Sequence, residues 1–404
     1  MARNPIRDQV AVVGVGSTPY GRDLGRTHLS LGLEAAIKAI ADAGIDKQEI
    51  DGICGSGSTV MEQGGSGFLS LQGGLGIETT SWVKNGWLGS CFVYAAEAVF
   101  SGTCDMALVV QTYTRDVTMS RTAAQDPFRL RAAEIAGLGS GAPSDSWDFA
   151  RRWMHSGEPY AAWMGRYMHD FGASKEVFAR LAVNNRNHAM RNPNAVMRTP
   201  LDFDQYLSSR AVWAPMQMLD MDVPVDCGEA LIITTAERAR DLKQKPVYIH
   251  AMALAGSRVG EFYDNSLPWD QTALWVSLRN LMARSDYKAA DVDLFFPYDG
   301  YSINAVSLTE AAGFCGIGEC TDLFRDSWDA QAGLIRLNGG RTLLHTHGGG
   351  LSQGRTGGFN FYSEAVRQIR GGEEARQAEH ARSALVTPGG SKFHDPAAVV
   401  LHAG

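Results

Sequence analysis

Residues 82–90 read WVKNGWLGS, and residues 91–100 continue as CFVYAAEAVF. The first run ends in small residues around Gly86, which is typical of a strand that ends in a turn. The second run is apolar almost throughout, which predicts a buried helix. This stretch therefore predicts a strand that turns directly into a buried helix, the unit from which α/β proteins are built.

A second stretch of the chain repeats this arrangement. Residues 94–99 (YAAEAV) follow the small-residue turn at 85–90, and residues 361–366 (FYSEAV) follow the glycine-rich run SQGRTGG at 352–358. In both copies a Glu-Ala-Val helix comes after a turn rich in small residues. The likeness predicts that the two halves of the chain carry the same succession of elements.

The strands that precede these turns repeat as well. QVAVVGVG (9–16) and VYIHAMALAG (247–256) each read as a buried strand with glycine near its end. An offset of 242 residues places Gly14 on Gly256 and Ile50 on Val292. One offset that serves two separated elements indicates an internal duplication of βαβ units.

Composition and charge narrow the classes of function. The chain has 404 residues, of which 45% are hydrophobic and 20% charged, with a net charge of -7. These values are typical of a globular protein with a large core. Nucleic-acid binding is not expected because lysine and arginine form no run. The chain has no apolar stretch of membrane-spanning length, and its start lacks the apolar core of a signal peptide, so we expect a cytoplasmic protein.

Six cysteines are scattered along the chain and none forms a CxxC pair. In a chain of this size the pattern indicates reduced, mostly buried thiols, and it predicts no metal site. Residues 115–215 lie between the repeated halves and are rich in Met, Trp and Arg at helical spacing. This insertion is interpreted either as ordinary core helices or as a lid over a site.

Several motifs resemble those of the thiolase superfamily, and RYMHDFG (166–172) and NNRNHA (184–189) resemble its lipid-transfer (sterol carrier) branch. The turn NGWLGS is similar to the family's nucleophile turn NCSxGS. The run at 345–358 (HTHGGGLSQGRTGG) is similar to NxxGGxxxxGHP, and PYDGY (297–301) stands where thiolases have NEAF and lipid-transfer relatives HDCF.

The resemblance implies an α/β fold of two duplicated βαβαβαββ halves. These halves would form a five-layer α/β/α/β/α body with the inserted loop domain at about 115–215. It divides the chain into an N-terminal half at 1–240 and a C-terminal half at 241–404.

The chain departs from the family where the thiol should stand. Depending on a one-residue shift in alignment, Asn85 or Gly86 occupies the position of the cysteine, and neither can attack an acyl group. Cys91 lies within the helix that follows and is expected to face packing, so it is a weak substitute. The resemblance assigns Asn85 and Gly86, with the later glycine pair Gly389 and Gly390, to the binding of the oxyanion and the substrate.

Other departures concern acid–base groups. Tyr298 replaces the residue that holds the oxyanion water, and its phenol is expected either to donate to an oxyanion, to transfer a proton, or simply to pack at the strand end. Arg355 replaces the general-base histidine; it cannot be a base, but it can hold a carboxylate, a thioester oxygen or a phosphate. His345 and His347 are expected either to titrate near neutrality, so that one serves as base, or to make hydrogen bonds within their loop. Asp299 is expected to orient neighbours or to cap the next helix.

Within the superfamily the chain resembles the cysteine-less steroid side-chain aldolases. That resemblance implies a retro-aldolase acting on a β-hydroxyacyl-CoA, with a CoA thioester as substrate and no covalently bound cofactor. Where Arg355 stands, the aldolases lead us to expect tyrosine. Two alternatives remain: an acyl-transferring or carbon–carbon-condensing subunit of a multi-subunit complex, and a non-catalytic thiolase-fold scaffold that carries a lipid.

The resemblance also implies partners. A homodimer is expected through edge pairing of the first-half sheets, near residues 86–110. A small OB-fold companion with a zinc ribbon is expected to form a heterotetramer with two copies of this chain. It would bind beside the mouth of the site, near the insertion at 115–215. Because the chain itself has no paired zinc-ribbon cysteines, such a companion would be a separate polypeptide.

Overall fold

The computed structural model describes residues 3–56, 67–86, 88–114, 157–256, 267–389 and 396–404. Part of the predicted insertion, residues 115–156, therefore lies outside the described residues, as does Gly390. No helix in the described part of the chain is long and apolar enough to cross a membrane.

Strands and helices alternate through most of the chain. The strands are β1 (Val10–Ser17), β2 (Gly52–Ser56), β3 (Trp82–Gly86), β4 (Met106–Tyr113), β5 (Ala211–Trp213), β6 (Met216–Gln217), β7 (Cys227–Thr235), β8 (Val247–Leu254), β9 (Leu294–Pro297), β10 (Trp328–Asp329), β11 (Leu334–Leu337), β12 (Thr342–Leu344), β13 (Ser383–Thr387) and β14 (Ala397–His402). The helices are α1 (His28–Ala43), α2 (Gly67–Leu75), α3 (Ser90–Phe100), α4 (Glu158–Phe171), α5 (Glu176–Met190), α6 (Phe203–Leu207), α7 (Ala236–Ala239), α8 (Ala273–Arg284), α9 (Ser302–Ala311), α10 (Cys320–Asp326), α11 (Gly349–Ser352) and α12 (Phe359–Arg370).

The main sheet is built from two copies of one strand order. Among the described residues its order is β10-β11-β12-β9-β13-β14-β8-β1-β7-β4-β2-β3. Outward from the centre the first half runs β1-β7-β4-β2-β3, and the second half runs β8-β14-β13-β9-β12. Each half follows the succession βαβαβαββ, so the predicted duplication is confirmed. The halves join where β1 and β8 pair antiparallel, through Ala11 with Tyr248 and Val12 with Val247.

The single offset of 242 holds for only one of the two strand pairs. It relates the start of β2 at Gly52 to the start of β9 at Leu294, but β1 and β8 start at Val10 and Val247, five residues closer. Gly14 lies inside β1, whereas Gly256 lies beyond the end of β8, so that equivalence was wrong. The connection from the first to the second strand is therefore five residues longer in the second half than in the first.

Alternating strand residues divide the interior into layers. In β1, Val10 and Val12 face a core shared by both halves that contains α3 and α12, while Ala11 and Val13 face α1 and α2. In β9, Phe296 faces the shared core and Phe295 faces α8 and α9. Because successive side chains of a strand point to opposite faces, this alternation gives the five layers α/β/α/β/α.

The described part of the insertion is not a simple lid. Helix α5 is buried along most of its length and packs against α9, α10, α11 and β11, so it belongs to the core. Helix α4 brings Tyr160, Trp163 and Tyr167 into the same apolar cluster. Of the two interpretations, core helices fit these residues better than a lid does.

Candidate active site

The two helix-opening turns of the repeated halves meet in space. A Cβ at Gly357 would lie 2.6 Å from Leu88 Cδ2, and one at Gly89 would lie 2.3 Å from Pro388 Cγ. A Cβ at Gly358, immediately before α12, would lie 2.8 Å from Pro388 Cα. The starts of α3 and α12 therefore converge on the 388–389 turn, and side chains larger than glycine would keep them apart.

The first of these turns carries no thiol. Leu88 stands there with φ of 47°, a left-handed conformation that costs a non-glycine residue roughly 1–3 kcal/mol. Asn85 is exposed on β3 and Gly86 half-buried at its end, so the sharp bend falls after both of them. Cys91 is fully buried in the shared core, which confirms the prediction that it faces packing.

Tyr298 follows directly after β9 and sits where the second-half turns meet. Its amide donates to the carbonyl of Thr387 at 2.9 Å, which holds the turn to the end of β13. A Cβ at Gly389 would approach the Tyr298 ring to 3.0 Å, and one at Gly300 would overlap its hydroxyl. Burial first, and then the charge of Asp222, raise the pKa of Tyr298 well above its usual value, so the phenol keeps its proton and acts as a donor.

Arg355 forms an ion pair that sequence reasoning did not identify. Its Nε donates to Asp222 Oδ1 at 2.7 Å, and its backbone amide donates to the carbonyl of Val223 at 2.7 Å. Arg355 thus holds a carboxylate, one of the three predicted ligands, but the carboxylate is the protein's own. Burial raises the pKa of Asp222 to about 6, while Arg355 acts to lower it. Asp222 in turn, as the largest influence, raises the pKa of Arg355, which stays charged.

Two further phenols surround this pair. Tyr113 ends β4, and a Cβ at Gly357 would lie 2.7 Å from its hydroxyl. Tyr160 of α4 stacks on Tyr301 at 4.2 Å between ring centroids. Burial is the largest cause of the raised pKa of both Tyr113 and Tyr160, and the charge of Asp222 raises both further. Both are therefore neutral hydroxyl groups close to Asp222.

His345 and His347 are sealed in the interior. Their rings pack against each other and against Phe361, and neither side chain reaches the surface. Burial lowers the pKa of each to about 3, so the prediction that they titrate near neutrality was wrong. Among the described residues their ring nitrogens have no hydrogen-bond partner, so the alternative of hydrogen bonds within the loop is not what this structure has.

Asp299 organises the glycine-rich loop. Its oxygens accept hydrogen bonds from the amides of Gly350 (2.8 Å) and Leu351 (3.1 Å) and from Asn185 Nδ2 (2.7 Å). It therefore caps α11 rather than α9, which was the next helix along the chain, so that part of the prediction was wrong. Its orienting role is confirmed: Asp299 links α5 to the 349–352 turn, and burial raises its pKa to about 7.

Gly389 and Gly390 were predicted to donate to the oxyanion at the C-terminal turn. The amide of Gly389 donates to the carbonyl of Gly357 at 2.6 Å, so it is already engaged in this structure. Gly390, predicted beside it, lies outside the described residues. The arrangement ties the 388–389 turn to the start of α12 instead of leaving an open amide.

The residues that sequence reasoning missed have weak but real signals. Asp222 lies in the run MLDMDVPVD (218–226), in which three carboxylates stand directly before the buried strand β7. Tyr113 is the last residue of an apolar strand in the first half. Polar groups at the ends of buried strands line the crevices in which α/β proteins bind ligands. That criterion would have selected both residues.

One cluster of described residues has metal-ligand composition, namely Asp8, His250 and His402. The amide of Asp286 donates to His250 Nε2 at 3.3 Å, and that of Gly404 donates to His402 Nδ1 at 3.2 Å. The opposite ring nitrogens, which face Asp8, therefore carry the protons. A metal would need lone pairs there, so the cluster is described better as a hydrogen-bonded clamp between the chain's two ends.

Fold and site together define a thiolase-fold protein with no cysteine in the run NGWLGS (85–90) that leads into α3. The family described as thiolase C-terminal domain-like matches residues 264–403. The chain is 31% identical to the 17-hydroxy-3-oxo-4-pregnene-20-carboxyl-CoA lyase of Mycobacterium tuberculosis over 90% of this chain and 92% of that one. It is 28% identical to the steroid side-chain-cleaving aldolase of Thermomonospora curvata, over 94% of each chain.

A solved structure extends the likeness to the fold. The Ltp2-ChsH2(DUF35) aldolase superposes with a TM-score of 0.81 at 26% identity, covering 98% of each chain. The chain belongs to the thiolase superfamily, in the branch that contains the sterol carrier protein 2 type and the thiolase-fold carbon–carbon lyases.

Proposed function

We propose that this chain is a retro-aldolase that cleaves a β-hydroxyacyl-CoA into a ketone and a short acyl-CoA without a cysteine nucleophile. The observation that carries the proposal is the pairing of an empty nucleophile turn with a cluster of hydrogen-bond donors. Leu88 stands at the turn, Cys91 is buried, and the phenol of Tyr298 lies with the Arg355 guanidinium across from them. A retro-aldol reaction needs donors for the enolate that leaves, but no covalent intermediate.

The donors suit an enolate oxygen. Asp222 engages the Nε of Arg355, and among the described residues the terminal nitrogens make no hydrogen bond. The Arg355 side chain is 29% exposed, so a ligand can reach it. Tyr298 keeps its proton and supplies a second donor. Two donors in a mostly buried setting stabilise developing negative charge far more than they would in water.

The substrate class follows from the relatives. The two relatives named for lyase or aldolase activity act on a steroid carboxyl-CoA and on a steroid side chain. We propose that the acyl group here is a steroid side chain or a similarly bulky ring-bearing group. The proposed reaction needs a CoA thioester as substrate and no bound cofactor.

Six unpaired cysteines support a reducing cytoplasmic location.

The test is a product screen with purified chain and β-hydroxyacyl-CoA thioesters of steroid, aromatic and aliphatic types. Release of a ketone and a short acyl-CoA from at least the steroid type is expected, as detected by mass spectrometry. Incubation with acetyl-CoA in parallel examines the acyl-transfer alternative, for which a stable acyl adduct on the protein would be the signature. Such an adduct without ketone release would contradict the proposal.

We also propose a homodimer through the first-half sheet. Strand β3 is the outer strand of the described sheet, and its Val83 is 52% exposed. An outer strand with an exposed apolar side chain is a natural site for strand pairing with a second copy. Light scattering at micromolar concentration is expected to give a dimer, and a monomer in the absence of any partner would contradict this.

A companion chain is the remaining part of the proposal. The aldolase of similar fold bears a two-component name, Ltp2-ChsH2(DUF35). We propose that a small OB-fold protein with a zinc ribbon joins two copies of this chain in a heterotetramer, near the insertion at 115–215. Expression with a companion of that type should raise both yield and specific activity over the chain alone. Equal values in both preparations would contradict it.

A further inference from the structure

The proposed reaction needs a base for the β-hydroxyl proton, and the predicted bases do not suit the task. His345 and His347 have no surface that a substrate could touch. The carboxylate of Asp299 is occupied by two amides and Asn185. Tyr298 and Tyr113 hold their protons. The inference that follows rests on the proposed function and concerns the carboxylate that pairs with Arg355, that of Asp222.

Asp222 is fixed in place by its backbone. Its amide donates to the carbonyl of Gly300 at 3.0 Å, and the amide of Val223 donates to the carbonyl of Gly350 at 3.0 Å. The carbonyl of Val223 accepts the amide of Arg355. The dipeptide 222–223 thus joins the turn after Tyr298, the start of α11 and the loop of Arg355. A side chain on such a segment loses little freedom when it takes up a working position.

The carboxylate has one oxygen engaged and one available. Oδ1 accepts from Arg355 Nε at 2.7 Å, whereas Oδ2 has no hydrogen-bond partner among the described residues. The side chain is 5% exposed, so it is largely but not completely shielded from water. Asp222 also acts on the pKa of Tyr298, Tyr113 and Tyr160, which locates it among the three phenols.

We propose that Asp222 is the general base of the reaction, with Oδ2 taking the proton from the β-hydroxyl while Arg355 holds Oδ1. The O–H electron pair becomes the second bond of the ketone, and the Cα–Cβ pair moves to the thioester as an enolate. The terminal nitrogens of Arg355 and the Tyr298 hydroxyl donate to the enolate oxygen. Tyr298 then gives its proton to Cα, and the protonated Asp222 returns a proton to the tyrosinate through water, so the protons balance.

A positioning role for Arg355 follows from the same geometry. It acts on Asp222 through the Nε and on the substrate through its terminal nitrogens, which lysine cannot do from one point charge. The pair therefore places a base and a hydrogen-bond donor for the enolate on two adjacent side chains. Asp220 lies two residues away and is equally buried, but Tyr206 and Ser302 donate to one of its oxygens and Gln217 to the other. Asp220 is thus a matched carboxylate with no free oxygen.

The experiment compares Asp222→Asn, Asp222→Glu and Asp220→Asn in the complete protein, with its companion if activity needs one. The probe is a β-hydroxyacyl-CoA that the wild type cleaves. In Asp222→Asn we expect kcat to fall on the order of 10²–10⁴-fold with KM changed little. Asp222→Glu should recover part of the rate, and Asp220→Asn should lower thermal stability while folded protein keeps its kcat.

The pH profile separates catalysis from structure. In the part of the chain that the structure describes, the groups facing Asp222 are Arg355, which stays charged, the three neutral phenols and Asp299. Because a base works unprotonated, wild-type kcat/KM should rise with pH through about 6, and this limb should vanish in Asp222→Asn. A variant rate within tenfold of the wild type, or an unchanged limb, overturns the assignment. No cleavage by the wild type of any thioester type overturns the proposed function first, and this inference with it.

Discussion

The glycine-rich loop at 345–358 carries polar residues at its start and near its end, and their surroundings differ. At its start, His345 and His347 pack against aromatic rings, and their ring nitrogens make no hydrogen bond to a described residue. The Nε2 of His345 lies 3.9 Å from Asp299 Oδ2, beyond hydrogen-bonding distance. Ten residues after His345, the side chain of Arg355 is 29% exposed and pairs with Asp222. As residue types, His345, His347 and Arg355 were all predicted to belong to the site. Hydrogen-bonded partners distinguish them, because burial without a hydrogen bond disfavours the charged form, whereas a hydrogen-bonded group of opposite charge favours it.

The largest loss of turnover should come from removing the Tyr298 hydroxyl. Tyr298→Phe keeps the ring that packs against Gly389 and Gly300 but removes the donor, so the fold should stay intact. We expect turnover to fall on the order of 10²–10⁴-fold. Steady-state kinetics measure the loss, with Tyr248→Phe on β8 as a phenol control that lies in another part of the fold. A Tyr298→Phe rate near that of the wild type would remove Tyr298 from the chemistry.

Arg355 should follow with a somewhat smaller loss. Arg355→Met removes both the enolate donors and the partner of Asp222, and we expect kcat to fall on the order of 10²–10³-fold. Arg355→Lys keeps the charge without the forked geometry and should recover only part of that rate. The readout is the ratio of the two variants in kcat. Full recovery in the lysine variant would mean that charge alone suffices, and that the Nε contact to Asp222 has no part in catalysis.

Substitution of the buried His347 should change the stability of the fold and its pH dependence rather than turnover. The pKa of His347 in the folded protein is about 3, below its ordinary 6.5, so the unfolded chain binds a proton that the folded chain does not. Its contribution to stability is therefore present above pH 6.5 and is lost as pH falls towards 3. His347→Phe should flatten this loss by at most about 1.4 kcal/mol per pH unit, the value for one proton.

Urea unfolding at pH 7 and pH 5 measures the difference between wild type and His347→Phe. The raised pKa of Asp299, about 7, acts in the opposite direction but is common to both proteins, so it cancels in the comparison. His169→Asn is the control, because that side chain is 88% exposed. Turnover of His347→Phe at pH 7 should equal that of the wild type. A large loss of turnover with unchanged stability would return His347 to the list of bases.

The smallest effect is expected at Cys91. Its thiol is fully buried in the shared core, and the turn before it carries Leu88. Cys91→Ala should therefore retain its retro-aldol rate, and thiol alkylation of native protein should not block the chemical step. Kinetics with circular dichroism check this. Loss of activity with unchanged circular dichroism would contradict the aldolase proposal and favour acyl transfer.

Much of the fold could be predicted because its signals are local. Buried strands such as β9, and the glycine turn before α12, are visible in runs of a few residues, and the duplicated order follows from their repetition. The position of Tyr298 at a strand end belongs to the same kind of signal. The length of the connection from the first to the second strand of each half was not predictable, since no pattern of residues constrains it.

The site was less predictable because its parts are distant in sequence. Asp222 and Arg355 are separated by 133 positions, and no motif marks the aspartate as a partner of the arginine. Burial is also a property of the whole fold, so the titration of His345 and His347 could not be read from their loop. Likewise, the engagement of the Gly389 amide by Gly357 depends on how two turns pack. Sequence identified where the chemistry lies better than which groups perform it.

The junction of the two halves gives this protein a further experimental use. Residues 240–246 connect α7 to β8, while Leu88 and Tyr113 come from one side of that connection and Tyr298 and Arg355 from the other. Neither half alone contains a working centre, since each donates only part of it. A chain cut within that connection would therefore regain lyase activity only when both fragments reassemble, so that catalysis itself reports their association.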